Sequence, residues 1–240
     1  MKRIAKTKIL LAGLACLLLS MPAAAGINEN IDIDDGARSG GETSVNGSIT
    51  VGDDATVSGG LRTVNGSIRA GSRATLTDAQ TVNGKIVLAD NVVADSLETV
   101  NGSIEIAEAV TIDDDVLAVN GSIRLGQNTR VGGNVSNVNG SIELRGSEVG
   151  GDLETTSGDV ELSDGAVVLG DLVVEKPANE GWFDGMRRDP RVVIGPGCRV
   201  DGTLRLEREV RLFISDSAIV GGVEGVMSMD DARRFSGNRP

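Results

Sequence analysis

Three clusters of carboxylates, Asp32/Asp34/Asp35, Asp53/Asp54 and Asp113/Asp114/Asp115, are the residues whose type and spacing could do chemistry. Hard oxygen ligands on neighbouring turns could hold Ca²⁺, and stacked acids of that kind serve metal-dependent cleavage of polysaccharides. The rest of the sequence does not support either use. The clusters do not recur at equivalent spacing, the glycine-rich calcium nonapeptide is absent, and solvated acidic turns are the simpler account. There is no histidine and no tyrosine, which removes the commonest general acid/base together with the commonest metal ligand. The four aromatics are Trp182, Phe183, Phe213 and Phe235, so the first 180 residues hold no platform for a sugar ring. The expectation is a chain with no catalytic residues, no metal and no cofactor, and a polysaccharide-active enzyme is the weakest of the functional readings.

A second set of residues has the regularity the acids lack. Six copies of Val-Asn-Gly-(Ser/Lys)-Ile place Asn46, Asn65, Asn83, Asn101, Asn120 and Asn139 at separations of 19, 18, 18, 19 and 19. A degenerate seventh copy, Thr156-Ser157-Gly158-Asp159-Val160, follows. Two positions before each asparagine runs a mostly small, polar row: Ser44, Thr63, Thr81, Thr99, Ala118 and Asn137. Exposed together, the two rows would form a flat array of hydroxyls and amides for a glycan or for ice, the alternative functional expectation. The structural account is a ladder of stacked asparagines at a sharp corner, where glycine and asparagine tolerate positive φ. The Asn-Gly-Ser strings also match the N-glycosylation acceptor pattern as a by-product of that corner.

A period of 18 to 19 residues with so little drift means one unit stacked on itself. In the copy from Val64, the pairs Ile68/Ala70 and Ala74/Leu76 have the two-residue period of short strands with one buried face, followed by Ala79. Polar breaks between the pairs turn the chain. The same register recurs at Ile49/Val51, Ile86/Leu88 and Ile104/Ile106. The predicted fold is all-β: a single-stranded parallel β-helix, a triangular solenoid of about ten coils around an aliphatic column.

The expected organisation is a signal peptide at 1–25, an atypical capping coil at 26–42, coils with the repeated word at 43–174, a protruding loop at 175–191, further coils at 192–226, and a tail or cap at 227–240. Lys2, Arg3, Lys6 and Lys8 precede an apolar run at 9–19, and Ala23-Ala24-Ala25 precedes Gly26, the pattern of a cleavable secretory signal. Cleavage after Ala25 predicts a periplasmic or secreted product with no integral membrane segment. The signal holds four basic residues and no acidic one, so a formal charge of −12 becomes −16 in the mature chain. Such a chain repels phosphate backbones, and nucleic acid is not an expected partner. Cys198 is the one cysteine left after processing and fills a slot taken by Ala or Val in other coils. The loop carries Trp182, Phe183, Arg187 and Arg188, a candidate knob for an envelope protein or glycan.

Triangular coils of about 18 residues are also built by the hexapeptide acyltransferases, and Ile194, Val200, Leu206 and Leu212 fall six apart. Those enzymes rely on a histidine base that this chain lacks. The Val-Asn-Gly-Ser-Ile copies with their alternating apolar pairs resemble the bacterial envelope β-strand-repeat proteins often labelled adhesins. Residues 193–204, Val-Ile-Gly-Pro-Gly-Cys-Arg-Val-Asp-Gly-Thr-Leu, are similar to the core repeat of bactofilins, the polymer-forming cytoskeletal β-helices. The second resemblance implies a right-handed β-helix that self-associates through its coil ends without nucleotide. It supplies a scaffold and no site residues. The signal peptide, the 175–191 insertion and the Asn-Gly series depart from the bactofilin pattern. The expected role is a non-enzymatic structural scaffold or adhesin-like protein of the envelope.

Overall fold

The structure, a computed structural model, describes residues 28–177 and 188–240. The described chain winds through ten coils of a parallel β-solenoid, each contributing strands to three faces. The first face stacks eleven strands, from Ile31–Ile33 to Arg233–Phe235. Its register keeps like residues above one another: Ile49, Ile68, Ile86, Ile104, Ile123 and Ile142, continued by Val160, Val192 and Leu212. Parallel pairing of this kind sends the backbone hydrogen bonds along the rod. At about 4.8 Å per coil, ten coils make a rod roughly 45 Å long.

The predicted inward register holds. Ile68, Ala70, Ala74, Leu76 and Ala79 are buried in one coil, and Ile104, Ile106, Val110, Ile112 and Val116 do the same work two coils later. These residues belong to one continuous column that runs from Ile33 to Ile214. Each buried Val, Leu or Ile contributes roughly 1.5–3 kcal/mol, and β-branched side chains suit the narrow pleated bore. The second face is the thinnest. Its strands are two residues long, as at Thr56–Val57 and Val93–Ala94, and in the third coil Thr75 alone bridges between them. In the ninth coil one strand, Arg199–Leu206, runs through the second corner and joins two faces.

The left-handed backbone conformation recurs from coil to coil at the corner between the first and second faces. Gly36, Asp54, Arg73, Asn91, Ala109, Asn128 and Gly146 stack there with φ between 53° and 67°. The coil at 26–42 is less atypical than its sequence suggests, because Ile31–Ile33 pairs in register with Ile49–Val51. The tail is a cap. Ser228 and Asp231 close a single 3-10 turn, Arg233–Phe235 pairs with the strand Arg211–Ser215, and Met227, Met229 and Ala232 pack against the end of the column. The Ser228 N–H and hydroxyl both donate to Asp231, holding its carboxyl below the usual range.

Candidate functional site

The repeated word builds the corner between the third and first faces. Each asparagine Nδ2 donates to Oδ1 of the asparagine one coil earlier: Asn65 to Asn46 at 2.7 Å, Asn83 to Asn65 at 2.8 Å, and Asn101 to Asn83 at 2.9 Å. Asn120 and Asn139 extend the ladder at 3.0 and 2.9 Å. It also begins one rung earlier than the sequence reading placed it. Asn46 donates to Asn28 at 2.6 Å, and Asn28, followed by Glu29 instead of glycine, stands 18 residues before it. Spacing alone would have found it.

The reason for glycine at this corner differs from the expected one. Of the glycines that follow the ladder asparagines, Gly140 alone has a positive φ, 133°. What the others need is room. A Cβ on Gly66, Gly84, Gly102 or Gly121 would overlap the carbonyl oxygen of the corner glycine one coil earlier, so the coils can stack at strand spacing only without a side chain there.

The threonine row is not a surface. Ser44, Thr63, Thr81, Thr99 and Asn137 are all buried. Ser44, Thr63, Thr81 and Thr99 each donate a hydroxyl to a corner carbonyl, as in Thr63 to Gly47 and Thr81 to Gly66, both at 2.8 Å. The period of two carries them inward beside the column, where a polar side chain must find a backbone partner. Thr63, Thr81 and Thr99 therefore offer no surface to a glycan or to ice, whereas the asparagine row beside them is exposed. Asn137 donates to the Gly121 carbonyl while its buried Oδ1 has no partner among the described residues, and Ala118 in the coil before it offers no hydroxyl at all.

The carboxylates also serve the backbone. Asp35 Oδ1 accepts from the Asp53 N–H at 2.8 Å, and Asp53 Oδ1 accepts from the Ser72 N–H at 2.8 Å. At the corner between the second and third faces, Asp115 accepts from the Asn134 N–H, Asn134 from Asp152, Asp152 from Asp171 and Asp171 from Thr203, at 2.6 to 3.0 Å. Sequence reasoning missed this second ladder. Its signal was a Gly-Asx pair at coil spacing, Gly133-Asn134, Gly151-Asp152 and Gly170-Asp171. Asp54 lies in the solvent beside Arg73, whose guanidinium bonds both carboxylate oxygens at 2.6 and 2.7 Å and lowers the Asp54 pKa. Among the described residues no three acidic or sulfur side chains converge as a cation cage would require.

On the outside of the third face Arg62 donates to Gln80 at 3.0 Å, and Gln80 donates to Glu98 at 3.3 Å. Burial, and then the charges of Asp78 and Asp115, push the Glu98 carboxyl up. Cys198 is fully buried in the column, which raises its thiol pKa and keeps it from acting as a nucleophile. Of the candidate knob, Arg188 is tied down. Its guanidinium donates to Asp159 at 2.8 Å, while the other Asp159 oxygen accepts from the Arg191 N–H at 2.7 Å. Trp182, Phe183 and Arg187 lie outside the described residues. No described helix is long and apolar enough to cross a membrane.

Compared with family models, curated proteins and solved structures, the chain matches none of them.

Proposed function

We propose that this chain is an exported, non-enzymatic β-solenoid acting as a structural scaffold or adhesin-like protein of the bacterial envelope, and that it assembles through its coil ends. The observation that carries the reading is the edge at the tenth coil. Among the described residues, Ile219–Gly225 pairs on one side only, with Arg199–Leu206, and Ile219 and Val226 stand 63% and 59% exposed. An unpaired parallel edge beside large apolar side chains is a template for another strand, and docking would bury both. The polar groups of the corners are engaged in holding coils together, which leaves the rod better suited to bearing and spacing than to turnover. The likeness of the repeated word to envelope repeat proteins, and of residues 193–204 to bactofilins, supports the same role.

Negative-stain imaging and sedimentation of the chain over a range of concentrations test the assembly. Rods longer than one copy are expected, and Ile219→Asp with Val226→Asp should return them to single units. Discrete monomers at every concentration would remove the assembly from the proposal. Fractionation of a bacterium expressing the tagged chain tests export, and retention of an unprocessed product in the cytoplasm would overturn it.

A further inference from the structure

An asparagine followed by glycine is prone to lose ammonia, because the glycine amide nitrogen meets no side chain on its way to the neighbouring Cγ. Six such pairs occur here in nearly identical words, but the corner does not hold them alike. Asn46, Asn65, Asn83, Asn101 and Asn120 each donate through Nδ2 and accept through Oδ1. Both bonds must break before Cγ can swing over the next amide nitrogen. Asn139 donates to Asn120, but among the described residues nothing donates to its own Oδ1, because Ser157 stands where the next asparagine would.

The nucleophile differs as well. The Gly102 and Gly121 N–H groups donate to the carbonyls of Asn120 and Asn139 at 3.1 and 2.9 Å. Gly140 makes no such bond among the described residues, has a φ of 133°, and opens onto a recess of about 270 Å³ shared with Ser157, Gly158 and Arg188. The recess is lined by the Arg188 guanidinium together with the Asp159 carboxylate it bonds, and Asn139 itself is exposed at its edge.

We propose that Asn139 is a hydrolytic modification site, the position at which this chain ages first, and that the amide ladder shields the other five Asn-Gly pairs. The Gly140 amide yields its proton to hydroxide and its nitrogen attacks Cγ of Asn139. The new N–Cγ bond closes a succinimide as the Cγ–Nδ2 bond breaks, and Nδ2 takes a proton from water, regenerating hydroxide, and leaves as ammonia. Water then opens either carbonyl–nitrogen bond of the ring to give aspartate or isoaspartate. No electrons are transferred, and water is the only co-reactant.

The test is peptide mapping by mass spectrometry of the folded chain held at mildly alkaline pH. Asn139 should convert fastest, Asn46, Asn65 and Asn83 more slowly, and Asn101 and Asn120 slowest. Each additional hydrogen bond should slow conversion about fivefold, the rate equivalent of about 1 kcal/mol. Ser157→Asn caps the open rung, so conversion at Asn139 should fall about fivefold, to the rate of Asn46, Asn65 and Asn83. The asparagine placed at position 157 should be no faster, because the Gly158 N–H donates to Thr155 at 3.0 Å. In denaturant the six wild-type positions should react alike. Equal rates in the folded chain, an Asn139 rate unchanged in a folded S157N chain, or Asn139 still fastest in denaturant would each overturn the proposal.

Discussion

Coils two to seven and coils eight to ten bury the same inward register, yet they turn the corner between the third and first faces by different means. In the first group the chain passes from Thr63 to Ile68, or from Thr99 to Ile104, in five positions, with an asparagine and a glycine stacked on those of the coil before. In the second group the asparagine gives way to Ser157. Residues 175–190 then stand in place of the short corner, and the next one, from Leu206 to Leu212, takes six positions through Glu207, Arg208, Glu209 and Val210. Above and below that change, Val160, Val192 and Leu212 remain in line. The column therefore propagates on its apolar period alone. A five-position corner needs its glycine to stack closely, Gly158 beside Ser157 included, whereas the asparagine can be replaced, and a longer corner is free to leave both.

The strongest way to break this comparison is to put an alanine in each corner, as an added methyl in the short one and as a shortened side chain in the long one. Gly84→Ala drives a Cβ into the Gly66 carbonyl and should cost about 3 kcal/mol or more, whereas Arg208→Ala at the longer corner should stay within about 0.5 kcal/mol. Equal effects in chemical denaturation would show that the two corners are packed alike. Next in size, Asn83→Ala removes two ladder bonds and should lower stability by about 2 kcal/mol, with a smaller loss for Asn139→Ala, which removes one.

Asn137→Thr sharpens the contrast between the ladder and the buried row beside it. Thr keeps a donor for the Gly121 carbonyl and removes the orphaned Oδ1, so stability should rise by about 1 kcal/mol. Thermal denaturation that shows a loss would mean the amide fills space that Thr cannot. The smallest expected effect is the pH response of Glu98. Its folded pKa is raised, so the folded state holds that proton more tightly than the unfolded chain does. The associated stability is present below the ordinary glutamate range and is lost as pH rises through the folded pKa. Glu98→Gln should flatten that limb and raise the neutral-pH midpoint, by less than about 1 kcal/mol. An unchanged profile would show that solvent reaches the carboxyl.

The parts of the fold that follow from apolar periodicity were legible in the sequence. Ile68/Ala70, Ala74/Leu76 and the Cys198 slot all fall where the period of two puts them, because burial has one repeat and every coil obeys it. Corner chemistry was harder to read. Thr63 looks the same on paper whether it faces water or a carbonyl. Glycine at position 84 is equally expected for a positive φ or for contact with the coil below, and the structure makes it contact. Asn134, Asp152 and Asp171 escaped notice because an Asx residue that accepts from the next coil needs no conserved word around it, only a glycine before it and the right spacing.

The single bridge at Thr75 has a mechanical corollary. Inter-coil bonds that run along the rod are loaded one after another when its ends are pulled, so the rod stretches as a chain of links of unequal strength. The third coil contributes one bridging residue on its second face, held to the coil before by the Thr75 N–H to Ala55 at 2.9 Å and the Val57 N–H to Thr75 at 2.8 Å, with the Arg73–Asp54 ion pair beside them, so part of the load there passes through side chains. A rod built this way yields level by level and not all at once.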